Sequence, residues 1–481
     1  MKKAGNVGKK EYAVWIFVFA VFVFCLAWAL AAPFDASPDE SMRYQIVEFI
    51  AKHGSLPDGR DPEIRNANWG ISYAFNPILP YMAGAVLVKI VQLFTASFRA
   101  TVIAARMVNV LLGGGMAWFT WKIGELMFRR KEAGRFFAVL VCFLPGTCFL
   151  FSYINTDGLA LFTTAWILYG WCRACKEGWS LSVCIQMGIA MGLCMLSYYN
   201  AYGYLLMSAV FFVGCMMKCQ EQKWDWKQMM KKGCLMLGIV FLVAGWWFIR
   251  SGILYDGDFL GMKTSSIYAE KYAIDELKPS NRVLPVNMDM SVLDMMLWVP
   301  GSWQHNWLVT VLVSFVGTFG HLDIFMPYLW SKLYLLVFTV GILGNLWKLR
   351  WDFDVATEFI RKEKKADGDG VTVTEVWRKN KKWNVRNWMH ICMAVAMVIP
   401  AGLLVYYAYA SDFQAQGRYM MPMVFPFLYF VTLGYENWLE KLTGKEKIKM
   451  WISRGGQAIA VLSALLTYFW YIGLLTDVRS K

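Results

Sequence analysis

The chain has 481 residues, of which 58% are hydrophobic, 17% aromatic and only 17% charged, and its mean hydropathy is +0.40. A soluble protein of this composition would expose too much apolar surface, so the sequence indicates an all-α polytopic membrane protein. The formal net charge of +14 does not indicate nucleic acid as a partner, because the basic residues form short clusters between apolar runs, as in the cytoplasmic loops of membrane proteins.

The first apolar run covers residues 12–32 and is long enough to cross a bilayer. The segment before it carries four lysines, which places the amino terminus on the cytoplasmic side. An acidic stretch with Asp39 and Glu40 follows directly, in a predicted outer loop at 33–103. Within this loop, a short helix is predicted from Asp39 to His53. Charged residues at this depth usually have a function.

The next apolar run, residues 76–95, is long enough to cross the membrane, but the distribution of basic residues argues against a crossing. If this run lies along the outer surface, 31 of the 48 Lys and Arg residues fall on the cytoplasmic side, as the positive-inside rule expects. Counting crossings so that the basic loops stay cytoplasmic also keeps residues 307–319 on the outer face, within a second outer loop at 255–327. The same count makes 348–388 a cytoplasmic loop.

This count of crossings predicts about 11 transmembrane helices in a single domain over residues 1–481, with juxtamembrane helices on the outer surface after the first span. The predicted spans are 12–32, 104–128, 135–153, 158–175, 181–197, 201–217, 233–254, 328–347, 389–410, 420–438 and 457–475. Polar residues from distant parts of the chain then fall at one surface, and this convergence is the main functional signal in the sequence.

Asp39 is the strongest candidate for catalysis. A carboxylate at the outer boundary between water and lipid can take a proton from an acceptor hydroxyl within hydrogen-bond reach. The alternative is helix capping, because an Asp that precedes a helix accepts hydrogen bonds from its backbone N–H groups. Glu40 lies on a different face of the predicted helix, where it would orient other groups or bind a metal ion.

Asp157 lies in the sequence Asn155-Thr156-Asp157, where one predicted span ends and the next begins. Asn and Asp suit a tight turn that caps a helix, which is the structural interpretation of this motif. The functional interpretation is that the Asp157 carboxylate positions a metal ion or a sugar hydroxyl. The sequence favours neither over the other.

Arg418 lies in the sequence Gln416-Gly417-Arg418-Tyr419, at the outer end of a predicted span. Its planar guanidinium suits bidentate binding of a phosphate, such as that of an anionic lipid. The alternative is simple anchoring at the membrane interface together with Tyr419. Weaker phosphate candidates are Arg43, Arg106 and Lys89.

In combination, these motifs resemble the GT-C superfamily of membrane glycosyltransferases, which includes protein O-mannosyltransferases, the lipid A aminoarabinose transferase and the catalytic subunits of oligosaccharyltransferases. They also resemble bacterial predicted membrane proteins of the same clan. The matching segments are Pro38-Asp39-Glu40, Asn155-Thr156-Asp157, residues 314–320 and Gln416-Gly417-Arg418-Tyr419. Related bacterial sequences often have His three residues after the Glu, where this chain has Arg43.

The resemblance implies outer-surface helices between the first two spans and a polyprenyl-phosphate-linked sugar as the donor. It implies that Asp39 is the general base and that Asp157 is a second acid that positions donor, acceptor or metal. Glu40, next to Asp39, is also expected in the catalytic site. A divalent cation held by Asp39 and Asp157 is a candidate cofactor. The expected donor-phosphate ligands are Arg418, Arg43, Tyr419 and Gln416.

These observations lead to the hypothesis of a bacterial plasma-membrane glycosyltransferase with its active site on the extracytoplasmic face. It would move a sugar, with inversion, to a hydroxyl of an acceptor glycan, lipid or protein, and membrane lipids would surround its spans. One alternative is a solute transporter or lipid flippase, although such proteins place polar groups and broken helices near mid-membrane. The other is a catalytically silent scaffold, which would tolerate alanine at Asp39, Asp157 and Arg418.

Overall fold

The computed structural model describes residues 4–216, 226–301, 303–346, 357–367, 370–379 and 385–479. Most of these residues lie in α-helices, which confirms the predicted fold class of an all-α membrane protein. The helices are α1 (Ala4–Ala31), α2 (Glu40–His53), α3 (Leu79–Gln92), α4 (Phe98–Met127), α5 (Lys131–Cys142), α6 (Pro145–Leu150), α7 (Asp157–Glu177), α8 (Leu181–Met195), α9 (Gly203–Met216), α10 (Trp226–Val240), α11 (Trp246–Leu254), α12 (Met262–Tyr272), α13 (Val292–Leu297), α14 (Trp307–Gly317), α15 (Tyr328–Leu346), α16 (Val385–Ala410), α17 (Val424–Leu442) and α18 (Glu446–Arg479).

Seven helical segments among the described residues are long and apolar enough to cross a membrane, and they involve α1, α4, α9, α10 with α11, α15, α16 and α18. The predicted span 135–153 is divided into α5 and α6, because Pro145 cannot continue a helix and instead begins a new one. The predicted span 233–254 is continuous but contains a π-helical turn at Phe241–Gly245. The number of 11 spans stays a prediction.

Helix α4 defines the two ends of the molecule, because its 30 residues extend about 45 Å. At its start, the ring of Phe98 packs against those of Phe34 and Tyr44. At its end, the carbonyl of Met127 accepts a hydrogen bond from Arg386. We call the end with Phe98 the site end. The opposite end, where basic residues of segments 129–135 and 441–454 gather, is called the basic end.

Helix α3 packs along α2 and the first half of α4. Tyr81, near its start, hydrogen-bonds the side chain of Thr156, and its last turn leads through a short connection into Phe98 at the start of α4. In its middle, Gly84 allows close contact with Val47 of α2 and Ala105 of α4. A helix of 14 residues is about 21 Å long, shorter than a bilayer core of ~30 Å. That residues 76–95 lie along the outer surface without crossing stays a prediction.

Two short antiparallel hairpins interrupt the helical pattern, and the sequence analysis predicts neither. The first joins β1 (Thr318–Phe319) and β2 (Ile324–Phe325) and carries His321 in its turn at the site end. The second joins β3 (Thr357–Asp367) and β4 (Gly370–Lys379), within the segment predicted to be a cytoplasmic loop. The first hairpin lies next to the loop that carries Asp39, because Nε2 of His321 is 2.8 Å from the backbone oxygen of Asp35.

Candidate active site

Asp39, Arg43 and Arg418 meet at the site end, as the sequence analysis predicts. The Oδ2 atom of Asp39 lies 3.3 Å from Nη2 of Arg418 and 3.5 Å from Nη2 of Arg43. Arg43 is buried, and its guanidinium lies 4.9 Å from the ring centre of Tyr73. Arg418 also donates to the hydroxyl of Tyr153 at 3.3 Å. One carboxylate is therefore shared by two arginines from opposite ends of the sequence, the buried Arg43 and the largely buried Arg418.

Asp39 does not cap helix α2, so the capping alternative for this residue is wrong. Its side chain accepts no hydrogen bond from the first turn, and the cap is Asp35, whose Oδ1 accepts from the backbone N–H of Ser41 at 2.9 Å. The backbone of Asp39 has φ of 57°, a left-handed conformation that L residues adopt rarely and at some cost in free energy. This conformation turns the carboxylate away from the helix and towards Arg418.

Opposing effects determine the pKa of the Asp39 carboxyl group. Burial by itself would raise the pKa of its carboxyl, but Arg43, Arg418 and a hydrogen bond from Tyr73 outweigh burial and hold the pKa below its ordinary value. Asp39 is therefore ionised at neutral pH. Its side chain is 28% exposed, so it is the member of this group that solvent or a substrate reaches most easily.

Glu40 faces away from this group and lies in a fully buried ion pair with Arg106 of α4. The carboxylate binds Arg106 through two contacts of 2.7 and 2.6 Å, and it also accepts from the backbone N–H of Ile154. The remaining guanidinium donors of Arg106 bind the carbonyl oxygens of Ala29, Ala32 and Pro33. This geometry makes Glu40 an anchor for the loop that carries Asp39, and it leaves Arg106 no donor for a phosphate.

Asp157 is the first residue of α7, and the turn before it is held by amides. Asn109 donates to the carbonyls of Tyr153 and Asn155, and Asn155 accepts from the N–H of Gly158 at 2.8 Å. The helix is thus capped by Asn155 and not by the Asp157 side chain. Asp157 is 3% exposed, and its charge interacts with Arg418, Arg43 and Asp39.

Arg418 is held in place by a close backbone contact of the residue before it. A Cβ atom on Gly417 would lie 2.2 Å from the backbone nitrogen of Phe315 in α14, so only glycine fits there. The N–H of Gly417 also donates to Ser314 at 2.8 Å. Helix α14 therefore positions the 3₁₀ turn Gly417–Met423, which presents Arg418 to Asp39.

Gln416 and Tyr419, also predicted as phosphate ligands, belong to a polar chain that the sequence analysis missed in part. Gln416 donates to Oε1 of Gln414 at 2.7 Å, and the Tyr419 hydroxyl donates to the same oxygen at 3.0 Å. Gln414 in turn donates to Asp412. Because Arg418 contacts the Tyr419 hydroxyl at 3.3 Å, the chain connects Asp412 with the arginine–carboxylate group.

Aromatic residues form the walls of the site, and the sequence analysis did not single most of them out. They come from four separate segments, which is why no local motif reveals them. Tyr198 stacks on Tyr419 with ring centres 5.9 Å apart, and Tyr81 and Tyr153 are fully buried. The rings next to the charged group are those of Tyr73, Tyr81, Tyr153, Tyr198 and Tyr419.

Four buried polar atoms of the site have no hydrogen-bond partner among the described residues. Two are donors, the Nε atoms of Arg43 and Arg418, and two are acceptors, Oδ1 of Asp157 and Oε1 of Gln416. Buried polar groups normally have partners, so such a cluster marks a place where a ligand would complete the structure. Donors on arginine fit an anion, and acceptors on carboxylate and amide fit hydroxyl groups.

The residues present do not fit a resident divalent cation well. Asp39, one of the two predicted metal ligands, is held by two guanidinium groups that would repel a cation. Among the described residues, no group of three or more His, Cys, Asp or Glu side chains lies close enough to share a metal ion. A divalent cation as cofactor therefore stays a prediction, and the chemistry proposed below uses the arginines.

Comparison with solved structures shows that the chain has the GT-C fold. The structure of the Archaeoglobus fulgidus oligosaccharyltransferase AglB in complex with an inhibitory peptide and a dolichol-phosphate matches with TM-score 0.55 and 11% identity over 96% of this chain. The apo form of that enzyme matches with TM-score 0.55 and 14% identity over the same share. This chain spans 56% of the length of AglB in both comparisons.

The chain belongs to the DUF2142 family of predicted membrane proteins, whose model matches residues 66–426. A further structural match is ArnT from Cupriavidus metallidurans bound to undecaprenyl phosphate, with TM-score 0.47, 12% identity, 91% of this chain and 62% of that chain covered. Comparison with curated proteins gives no significant sequence match. The fold is thus established by the AglB comparisons, and the family by the sequence model.

Proposed function

We propose that this protein is a membrane glycosyltransferase that moves a sugar from a polyprenyl phosphate to an acceptor hydroxyl on the extracytoplasmic face. The observation that carries the proposal is the group of Asp39, Asp157, Arg43 and Arg418, with two unfilled guanidinium donors beside two unfilled acceptors. A sugar phosphate offers the complementary groups, an anion next to hydroxyls. The dolichol-phosphate in the AglB complex supports a polyprenyl phosphate as the lipid carrier.

The donor phosphate would bind Arg418 and Arg43 in place of Asp39. The cavity between Pro38, Tyr153 and Arg418 is only about 20 Å³, about the space of one water molecule, so the arginine–carboxylate contacts must open to admit a phosphate. A phosphodiester can take the place of the carboxylate, because its two non-bridging oxygens accept hydrogen bonds from both guanidinium groups at once. Donor binding then leaves Asp39 without its cationic partners.

This exchange would prepare Asp39 for catalysis. Removal of Arg418 and Arg43 from the carboxylate raises its pKa, and a carboxylate with a higher pKa is the better general base. The acceptor oxygen attacks the anomeric carbon, its proton passes to Asp39, and the bond between that carbon and the phosphate oxygen breaks. The electron pair leaves with the polyprenyl phosphate, whose added charge the two arginines stabilise, and direct displacement inverts the anomeric centre.

The test is a transfer assay with purified protein in lipid nanodiscs and a panel of radiolabelled undecaprenyl-phosphate-linked hexoses, with a membrane extract as acceptor. Wild-type protein should transfer label from at least one donor, and Asp39→Asn should reduce the rate at least ~100-fold, the size of a general-base contribution. Asp323→Asn, an exposed carboxylate at the same end, is the matched control. Full transfer by a folded Asp39→Asn variant would remove the base assignment, and tolerance of alanine at Asp39, Asp157 and Arg418 would favour the silent scaffold.

A further inference from the structure

An apolar cavity of about 690 Å³ opens between four helices, towards the basic end and away from the candidate active site. Its walls come from α5, α15, α17 and α18, and nearly all of them are aliphatic or aromatic. On α18 the lining residues run from Ile452 to Leu466, a length of about 21 Å. This length exceeds half of a bilayer core of ~30 Å, so the cavity suits one extended acyl chain of a single leaflet.

The polar end of this cavity is formed by Arg130, at the junction of α4 and α5. Its Nε and Nη2 atoms lie 3.6 Å from Glu446 and 3.7 Å from Glu440, and its backbone N–H donates to Glu436 at 3.1 Å. Its Nη1 atom is buried and has no hydrogen-bond partner among the residues that the structure describes. The buried hydroxyl of Ser453 lies in the same lining. The Nη1 atom of Arg130 can therefore donate hydrogen bonds that the described residues do not use.

The surface around this end has an excess of positive charge. Segments 129–135 and 436–454 together contain nine Lys or Arg residues and four Glu residues. Arg129 is 62% exposed, so part of this charge faces the membrane surface. A lipid with a negative headgroup is attracted to such a rim, whereas a zwitterionic lipid gains little.

We propose that this cavity binds an anionic phospholipid of the leaflet at the basic end, with its phosphate at Arg130 and one acyl chain between the four helices. The phosphate oxygen fills the unused Nη1 donor of Arg130, and the acyl chain covers the apolar walls. Binding at this place would join α5, α15, α17 and α18, which already pack in the pairs α5–α17, α5–α18 and α15–α17. The lipid would therefore act as a structural ligand, separate from the donor lipid of the proposed reaction.

Native mass spectrometry of the full chain tests the proposal, with phosphatidylglycerol and phosphatidylcholine of identical acyl chains at equal concentration. Wild-type protein should retain phosphatidylglycerol in preference. Arg130→Ala should weaken the retention of phosphatidylglycerol about tenfold, equivalent to ~1.4 kcal/mol. Arg130→Lys should weaken it less, because lysine keeps the positive charge. The control Arg129→Ala removes one charge of the rim but no group that lines the cavity, so it should weaken retention of phosphatidylglycerol clearly less than Arg130→Ala does. Ala460→Phe fills part of the apolar cavity and should weaken the retention of both lipids.

Three results would overturn the proposal. Equal retention of the two lipids by wild-type protein would mean that the headgroup is not recognised. Unchanged retention of phosphatidylglycerol by Arg130→Ala and by Ala460→Phe would mean that the lipid binds elsewhere. Displacement of phosphatidylglycerol by equimolar undecaprenyl phosphate, with the same dependence on Arg130, would assign the cavity to the donor lipid instead.

Discussion

Glu40→Gln is the substitution that most clearly separates a structural from a catalytic role for the acidic pair. Glu40 is fully buried and its only cationic partner among the described residues is Arg106, which is itself 2% exposed. The amide keeps the size of the side chain but leaves a buried guanidinium without a counter-charge. Breaking a buried ion pair from one side costs about 3–5 kcal/mol, a large share of the ~5–15 kcal/mol that stabilises a typical domain.

The assay is reversible unfolding of the purified protein in mixed micelles, followed by tryptophan fluorescence. Glu40→Gln and Arg106→Met should each lower the free energy of unfolding by about 3–5 kcal/mol. The double variant Glu40→Leu with Arg106→Met should cost less than the sum of the single changes, because it leaves no unpaired charge. Asp323→Asn, an exposed carboxylate nearby, should change stability by no more than ~0.5 kcal/mol.

The same variants also report on the site, because Glu40 is adjacent to Asp39 and holds its loop against α4. If Glu40 is an anchor, Glu40→Gln should lose stability and transfer activity together. If Glu40 takes part in the chemistry, Glu40→Gln should remain as stable as wild type and lose activity alone. A stability loss below ~1 kcal/mol would therefore refute the anchor role, and together with lost transfer activity it would restore the catalytic assignment made from the sequence.

Other predictions concern the charged group and its support. The pKa of Asp39 is lowered in the folded state, so its contribution to stability is present at neutral pH and is lost only as pH falls through that lowered value. Because Arg418 is one cause of the lowered pKa, Arg418→Gln should move the acid limb of the pH–stability curve to higher pH. Burial raises the pKa of Asp412, so the folded state favours the protonated carboxyl and wild-type protein should become more stable as pH falls through this raised pKa. Asp412→Asn should leave stability at pH 8 unchanged or higher, and it should remove this gain in stability at lower pH. Thermal unfolding at pH 5 and 8 would measure both effects. Gly417→Ala should displace Arg418 from Asp39 and reduce transfer at least ~100-fold, whereas Gly402→Ala, where a Cβ meets no atom within 4 Å, should be neutral or slightly stabilising. Equal activity of the two glycine variants would contradict the positioning role of Gly417.

The sequence predicts well both the fold class and which distant residues lie at the same surface, because both depend on patterns that extend over whole helices and loops. Hydropathy identifies the apolar helices, and the positive-inside rule places their ends. From these two signals alone, Asp39, Asp157 and Arg418 fall at one surface, and the structure brings them together. The roles assigned to these residues stay predictions, since geometry alone does not measure chemistry.

The partners of individual side chains could not be predicted in the same way. Asp35 and Asp39 are both plausible caps for α2, and only the backbone geometry at Asp39 decides in favour of Asp35. The pairing of Glu40 with Arg106 depends on the rotation of α4, which hydropathy does not specify. The same limit applies to Asp412, which reaches the site only through Gln414 in a loop without a recognisable motif.

The most direct test of the central claim is an experimental structure of the protein with undecaprenyl phosphate bound. The account predicts the phosphate within hydrogen-bond distance, about 3 Å, of both Arg43 and Arg418, with the contact between Arg418 and Asp39 broken. It also predicts that the polyprenyl tail leaves the site between helices at the site end. A phosphate found at the basic end, or one bound while Asp39 keeps both arginines, would contradict the account.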